Sequence, residues 1–236
     1  MCFFVFFCGY FFFFFFFLLI SLFFMLKQEF FSKALKAMEF KNYDSTIYWM
    51  QRLLEQEQDC LEARQLARRA ALERWKKREA TATSVQRLLR NFFKIKSFLI
   101  VTKARYLFQR GDFSKAFVVL ESLLGNFPHD EAAHRLMVEC AMKWSPPLRS
   151  VALFSYEALL QEISNNNPRK MKLLEEIGAF CLCSDESGLP WNPTRAKDCY
   201  EEILLLEPHH LVARKGMNRA SAALSVATFN TEPKLN

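Results

Sequence analysis

The sequence has little of what bends a chain. Glycine and proline contribute 6 and 8 of 236 residues, too few to punctuate a protein made of many short strands, which needs a turn about every ten residues. Leu, Ala, Glu, Lys and Arg are frequent instead, and these side chains lose least freedom on entering a helix. Histidine is scarce too, at 4 residues, and His129, His134, His209 and His210 fall in two places beside Pro128 and Pro208. No glycine-rich phosphate loop, nucleophile elbow or paired-His metalloprotease motif occurs. A catalytic function and a bound cofactor are therefore not expected, while a hydrophobic content of 51% is ample for a core and excludes general disorder.

Seven cysteines would form a disulfide framework in a small, exported, loop-rich chain, and this chain is none of these. They read as free thiols filling a core, with Cys140 and Cys199 inside helical patterns and Cys60 closing a helix. Cys181, Cys183 and Cys199 with His209 or His210 would supply four zinc ligands. Their spacing matches no common zinc module, and Cys181 and Cys183 fall on different sides of one helix end. No metal site is assigned, and a metal- or thiol-dependent enzyme using this region stands as the alternative from another functional class.

Residues 1–26 carry no charge and include an unbroken Phe run from Phe11 to Phe17. Two readings are open. By length and hydropathy the segment is one membrane-spanning helix, and the first basic residues, Lys27, Lys33, Lys36 and Lys41, would then hold the rest of the chain in the cytoplasm. Natural spanning helices mix Leu, Val, Ile and Ala, however, whereas a T-rich stretch ahead of a gene, translated from too early a start codon, yields nearly pure Phe. On that reading Met25 is the first residue and the protein is cytoplasmic.

One spacing recurs five times beyond this tract: positions separated by 4, 3 and 1 residues, apolar apart from one Thr. The sets are Thr46, Met50, Leu53, Leu54; Val85, Leu89, Phe92, Phe93; Ala116, Leu120, Leu123, Leu124; Ala152, Tyr156, Leu159, Leu160; and Ala196, Tyr200, Ile203, Leu204. Such offsets fall on one face of a helix with 3.6 residues per turn. Each set is preceded by another apolar-periodic stretch: Lys27 to Phe40, Leu61 to Glu79, Phe98 to Gln109, Ala132 to Lys143 and Met171 to Leu182. The unit is thus a helix pair, and the anchors lie 39, 31, 36 and 44 residues apart.

Between Ser97 and Asp130 the pattern is detailed enough to resemble a tetratricopeptide repeat. Gly111, Asp112 and Phe113 form its turn, followed by Ala116, then Leu120, Leu123 and Leu124, and a closing Pro128. Gly111 suits the left-handed end of the first helix, Ala116 a close helix crossing, and Pro128 the stop of the second helix. The last unit resembles the same pattern through Gly178, Ala196, Tyr200, Ile203, Leu204 and Pro208, with extra residues between Cys183 and Thr194. The first has Asn42 and Thr46 where the family prefers Asp and Ala, and Gln58 in place of Pro. The fourth keeps Ala152 but has Ser145, Pro146 and Pro147 at its turn, and the second lacks both turn Gly and closing Pro. The resemblance covers 27–210 and implies an all-α, right-handed superhelical array of five antiparallel helix pairs, the second and fourth degenerate. A capping helix over 211–228 and a frayed tail over 229–236 complete it.

Charge is unevenly spread. Residues 76–110 hold Lys76, Lys77, Arg78, Arg87, Arg90, Lys94, Lys96, Lys103, Arg105 and Arg110 against Glu79 alone, a local +9 in a chain of +7. Long cations of this kind either solvate a helix face and cover apolar surface with their stems or attract an acidic peptide or an anionic membrane. Nucleic acid is disfavoured, since no module motif accompanies the charge. In tetratricopeptide proteins the first helices of successive units line a groove that receives a peptide or a partner's helix. The resemblance thereby implies a scaffold or adaptor that binds another protein, with Arg64, Arg68, Lys103, Arg105, Arg110 and His134 as exposed groove candidates. A membrane-tethered assembly factor held by the apolar N-terminal segment is the alternative.

Overall fold

A computed structural model describes residues 25–81, 90–163, 168–184 and 190–231. Ten α-helices run through them, and one isolated β-bridge, Ser184 to Pro190, is the sole extended pairing among the described residues. The helices are α1 (25–39), α2 (Tyr43–Gln56), α3 (Leu61–Ala80), α4 (Arg90–Gln109) and α5 (Phe113–Asn126), then α6 (Glu131–Lys143), α7 (Arg149–Gln161), α8 (Pro168–Cys181), α9 (Pro193–Leu206) and α10 (Leu211–Thr231). The chain divides into two compact units, Met1–Ala152 and Leu153–Asn236. The Phe-rich tract through residue 24 lies outside the described residues, as do Val85, Arg87 and Leu89.

In the first unit α1 packs on α2 and α2 on α3, burying Ala34, Met50, Leu53, Leu54, Cys60, Ala63 and Ala67 beneath Phe30, Phe31, Trp49 and Leu66. Thr46 sits in the α1–α2 crossing with no exposed surface, and its hydroxyl is shared between the carbonyls of Ala34 (3.3 Å) and Asn42 (3.2 Å). A hydroxyl therefore fits where alanine was expected, because two acceptors meet it. Further along, α4 packs on α5 and α5 on α6, and Ala116, Leu120, Leu123 and Leu124 are all at most 1% exposed. Burying each such Leu stabilises the unit by about 1.5–3 kcal/mol.

The turn from α4 to α5 is as expected. Gly111 has φ 81°, Asp112 N–H donates to Leu107 O (3.0 Å) and Gly111 N–H to Phe108 O (3.0 Å), the paired bonds of a left-handed helix stop. The α1–α2 turn repeats it with Lys41 at φ 56°, where Asn42 N–H donates to Ala37 O (2.8 Å) and Lys41 N–H to Met38 O (3.0 Å). The geometry was legible at Gly111 and hidden at Lys41, where a side chain bears the strain.

The second helix pair departs from expectation. Phe92 and Phe93 do not close a helix of their own; they belong to α4, which runs unbroken from Arg90 to Gln109 into the stretch assigned to the third pair. No glycine or proline interrupts residues 90–110, so nothing stops the helix between Phe93 and Phe98. α5 packs on α2 and α3. Cys60 likewise opens α3 as its N-cap instead of closing α2, which ends at Gln56.

In the second unit α9 packs on α8 and α10. Its Tyr200 ring enters a slot between two glycines on those neighbours: an added Cβ at Gly178 would meet the ring at 2.7 Å, and one at Gly216 would overlap it more severely. Gly178 thus lies inside α8, not at a turn, and serves to admit an aromatic ring. The C-terminal helix extends to Thr231, three residues beyond the expected cap.

Two stability measurements check these points. Gly111→Ala meets no atom within 4 Å of the new Cβ, so its cost is backbone strain alone, about 1 kcal/mol; Lys41→Gly should instead stabilise, by at most about 1 kcal/mol after the added chain entropy. Opposite shifts of the urea midpoint are expected. Gly216→Ala should cost about 1–3 kcal/mol by overpacking, and Tyr200→Leu in the same chain should recover part of that loss.

Candidate protein-interaction site

Three arginines on α3 reach across to α5. Arg64 is 1% and Arg68 7% exposed. Arg64 Nε donates to Glu121 Oε1 and its Nη1 to Gln58 O (2.9 Å), while Arg68 Nη1 donates to Leu124 O (2.9 Å). Arg74 Nη2 donates to Gly125 O (2.5 Å) and to Asn126 Oδ1 (3.2 Å), and its Nη1 pairs with Asp44. Leu124 and Gly125 stand in the last turn of α5, where carbonyls lack helical partners and the helix dipole is negative. The guanidinium groups satisfy both. From α2, Gln51 Nε2 donates to Glu121 O (3.3 Å), and Gln58, in the α2–α3 turn, donates through Nε2 to Ser114 Oγ (2.6 Å).

The sequence pointed to Arg64 and Arg68 as exposed groove residues; they are instead buried and engage the chain's own backbone. Burial lowers the Arg68 pKa to about 10, which leaves it protonated at neutral pH. Two guanidinium groups face one buried carboxylate, Glu121, and the excess positive charge rests on the carbonyl end of α5. His134 is corrected in the same way: it is 1% exposed, and its Nε2 lies 2.9 Å from Pro128 O. A carbonyl only accepts, so Nε2 carries the proton and Nδ1, which has no hydrogen-bond partner, is the bare nitrogen. Burial first, and the Arg68 charge second, lower the His134 pKa to about 3.

Arg64 and His134 occupy matching places, and a third residue that sequence reasoning missed joins them. After α2, α5 and α9 the chain makes the same four-residue turn, closed by Cys60 N–H to Glu57 O, Asp130 N–H to Phe127 O and His210 N–H to Glu207 O. In each, the second turn residue offers its carbonyl to a side chain six positions on. Gln58 O accepts from Arg64, Pro128 O meets His134, and Pro208 O accepts from Arg214 Nη2 (2.8 Å) and Nε (3.1 Å). Gln58 thus makes the turn that Pro128 and Pro208 make. The one available signal for Arg214 was its offset of six from Pro208, matching that of His134 from Pro128.

Between α2, α3 and α5 a cleft of about 160 Å³ opens, lined by Gln51, Leu54, Glu55, Arg64, Phe117, Val118, Glu121 and Ser122. Its volume resembles that of an engineered cavity that admits benzene. Arg64 lies over the Phe117 ring at 5.4 Å, and Arg64 Nη2 has no hydrogen-bond partner. Gln51, Phe117 and Glu121 were not singled out from the sequence.

The remaining candidates lie elsewhere. Lys103, Arg105, Arg110 and Lys96 are exposed on α4, and Lys76, Lys77 and Arg78 are exposed at the end of α3. Arg90 and Lys94 belong to α4. Cys181 and Cys199 are buried and Cys183 is exposed, and burial pushes the Cys181 and Cys199 thiols up to about 12 and about 11. Among the described residues no group of three or more His, Cys, Asp or Glu converges on a metal position, and no helix is long and apolar enough to cross a membrane.

No protein-family model matches this chain, and no curated protein matches its sequence. The all-α fold and its recurrent turns therefore rest on the chain's own residues.

Because the folded His134 pKa lies below the free value of 6.5, the unfolded chain binds a proton that the folded one refuses between about pH 6.5 and 3. The His134 contribution is complete above that window and is lost as pH falls through it. His134→Gln keeps an N–H for Pro128 O and does not titrate. Thermal melts from pH 7 to pH 4 should show wild type losing ground to the variant as pH falls; a constant difference would place His134 in contact with water.

Proposed function

We propose that this chain is a tetratricopeptide-type scaffold that holds another protein and takes one of that protein's acidic side chains into the cleft between α2, α3 and α5. The observation that carries the reading is the unpartnered Nη2 of Arg64, a residue that lines the cleft. A buried N–H without an acceptor costs about 1–3 kcal/mol, and a carboxylate entering the cleft removes that cost. Arg64 pairs with Glu121 through Nε, which leaves its Nη2 hydrogens for a charge-assisted bond to a second carboxylate.

Two further features support the reading. The repeated turns at 57–60, 127–130 and 207–210 and the left-handed stops at Lys41 and Gly111 agree with helical repeats, the architecture for which the sequence resemblance implies a right-handed array. Lys76, Lys77 and Arg78 continue the positive charge along α3, about 18 Å from Arg64 by helical rise. That is beyond one Debye length of roughly 8 Å at physiological salt, so they steer an acidic partner mainly at low salt and the cleft fixes it.

Ser122 is exposed at the cleft, so Ser122→Trp plugs it without touching the core. The full chain would be cross-linked in its native lysate and the captured protein identified. The binding of that protein, purified, should weaken at least tenfold in the variant, a change of about 1.4 kcal/mol, while the melt is unchanged. Undiminished binding by the plugged protein would refute the cleft as the site.

A further inference from the structure

The outward face of α4 carries a second surface, unrelated to the cleft. With 100° between successive residues, Ile95, Leu99, Thr102 and Tyr106 fall within about 60° of one another around the axis, and Phe98 lies beside them. On the opposite side Ser97, Val101 and Ala104 are buried, where α4 packs on α5 and α6. The helix is therefore apolar on two faces, and one is covered.

The uncovered face is a ridge. Ile95 is 59% exposed, Phe98 69%, Leu99 62% and Tyr106 56%, values too high for side chains standing in a groove with walls. Thr102 returns its hydroxyl to Phe98 O (2.8 Å), so the ridge presents no unmet hydroxyl. It is about 16 Å long from Ile95 to Tyr106 by helical rise. Lys96, Lys103 and Arg110 follow one flank at seven-residue spacing and Arg105 stands on the other. Arg110 lies over the Tyr106 ring at 5.6 Å. No acidic residue occurs between Glu79 and Asp112, so the helix offers no anion of its own to these cations.

We propose that the α4 ridge docks on an anionic lipid bilayer, with Ile95, Phe98, Leu99 and Tyr106 entering the headgroup boundary and Lys96, Lys103, Arg105 and Arg110 meeting lipid phosphates and carboxylates on both sides. An apolar strip with aromatics, bordered on both flanks by cations, is the arrangement that lies in a membrane interface. A ridge fits a flat, deformable surface, whereas a peptide needs the walls of a cleft. Each cation near such a surface strengthens binding about fivefold, and salt weakens it. The inference stands on α4 alone and is independent of what occupies the cleft.

Hydroxyl-radical footprinting of the full chain tests it, because side-chain oxidation is read at each residue and so is separate from any effect of the apolar N-terminal tract. Vesicles of phosphatidylcholine with phosphatidylserine should lower oxidation of Phe98 and Tyr106 at least threefold. Phosphatidylcholine alone should not, and high salt should restore the signal. The variant with Lys96, Lys103, Arg105 and Arg110 all changed to Gln should lose the protection while keeping its melt. Phe98→Ser with Leu99→Ser should weaken vesicle binding even if the Gln variant folds poorly. Equal protection by neutral vesicles, no protection at all, or protection only by an added acidic amphipathic peptide would overturn the proposal.

Discussion

The hydrogen bonds from Arg68 and Arg74 to the last carbonyls of α5 are the constraint on which the first unit depends. A helix that ends inside a protein leaves acceptors without donors, and α5 ends against α3. Had these positions been alanines, Leu124 O and Gly125 O would need water, and α3 could not lie so near. The arginine stems supply apolar cover along the way. Arg64 then closes the other side by pairing with Glu121. Truncating either member of that pair would strand a buried charge, a loss of about 3–5 kcal/mol.

A second economy runs along the chain. Glu57 to Cys60, Phe127 to Asp130 and Glu207 to His210 trace one turn, and the residue six places after its second carbonyl ties the turn to the next helix. Arginine does so twice and histidine once. Proline is dispensable to the turn's shape, as Gln58 demonstrates, because the backbone bonds and the side-chain tie already fix it. The second carbonyls are 70 and 80 residues apart, about two repeat lengths each time.

Much of the helical plan was legible because buried positions recur at 4, 3 and 1, and Met50, Leu53, Leu54, Leu120, Leu123, Leu124 and Ile203 are all buried as that spacing requires. Gly111 announced its left-handed turn because no other residue type adopts that conformation so cheaply. Lys41 adopts it silently. Arg64 and Arg68 misled for a physical reason: a charge in a sequence signals water unless its partner is visible, and their partners include backbone carbonyls, which every residue has. His134 was hidden likewise. The boundary expected between Phe93 and Phe98 is absent, because periodicity marks a helical face but does not mark where the helix stops. The cleft escaped notice since Gln51, Arg64 and Glu121 converge from three helices, with no local pattern linking them.

The slot around Tyr200 has a consequence for how the chain can change over generations. Its ring is held by two glycines on two other helices, 22 and 16 residues away in sequence. A methyl group at either glycine is tolerable only where the ring has already been replaced by something thinner. Among descendants of this chain, positions 178, 200 and 216 should therefore vary as a trio: an aromatic at 200 with glycine at both others, or a slim aliphatic at 200 with freedom at 178 and 216.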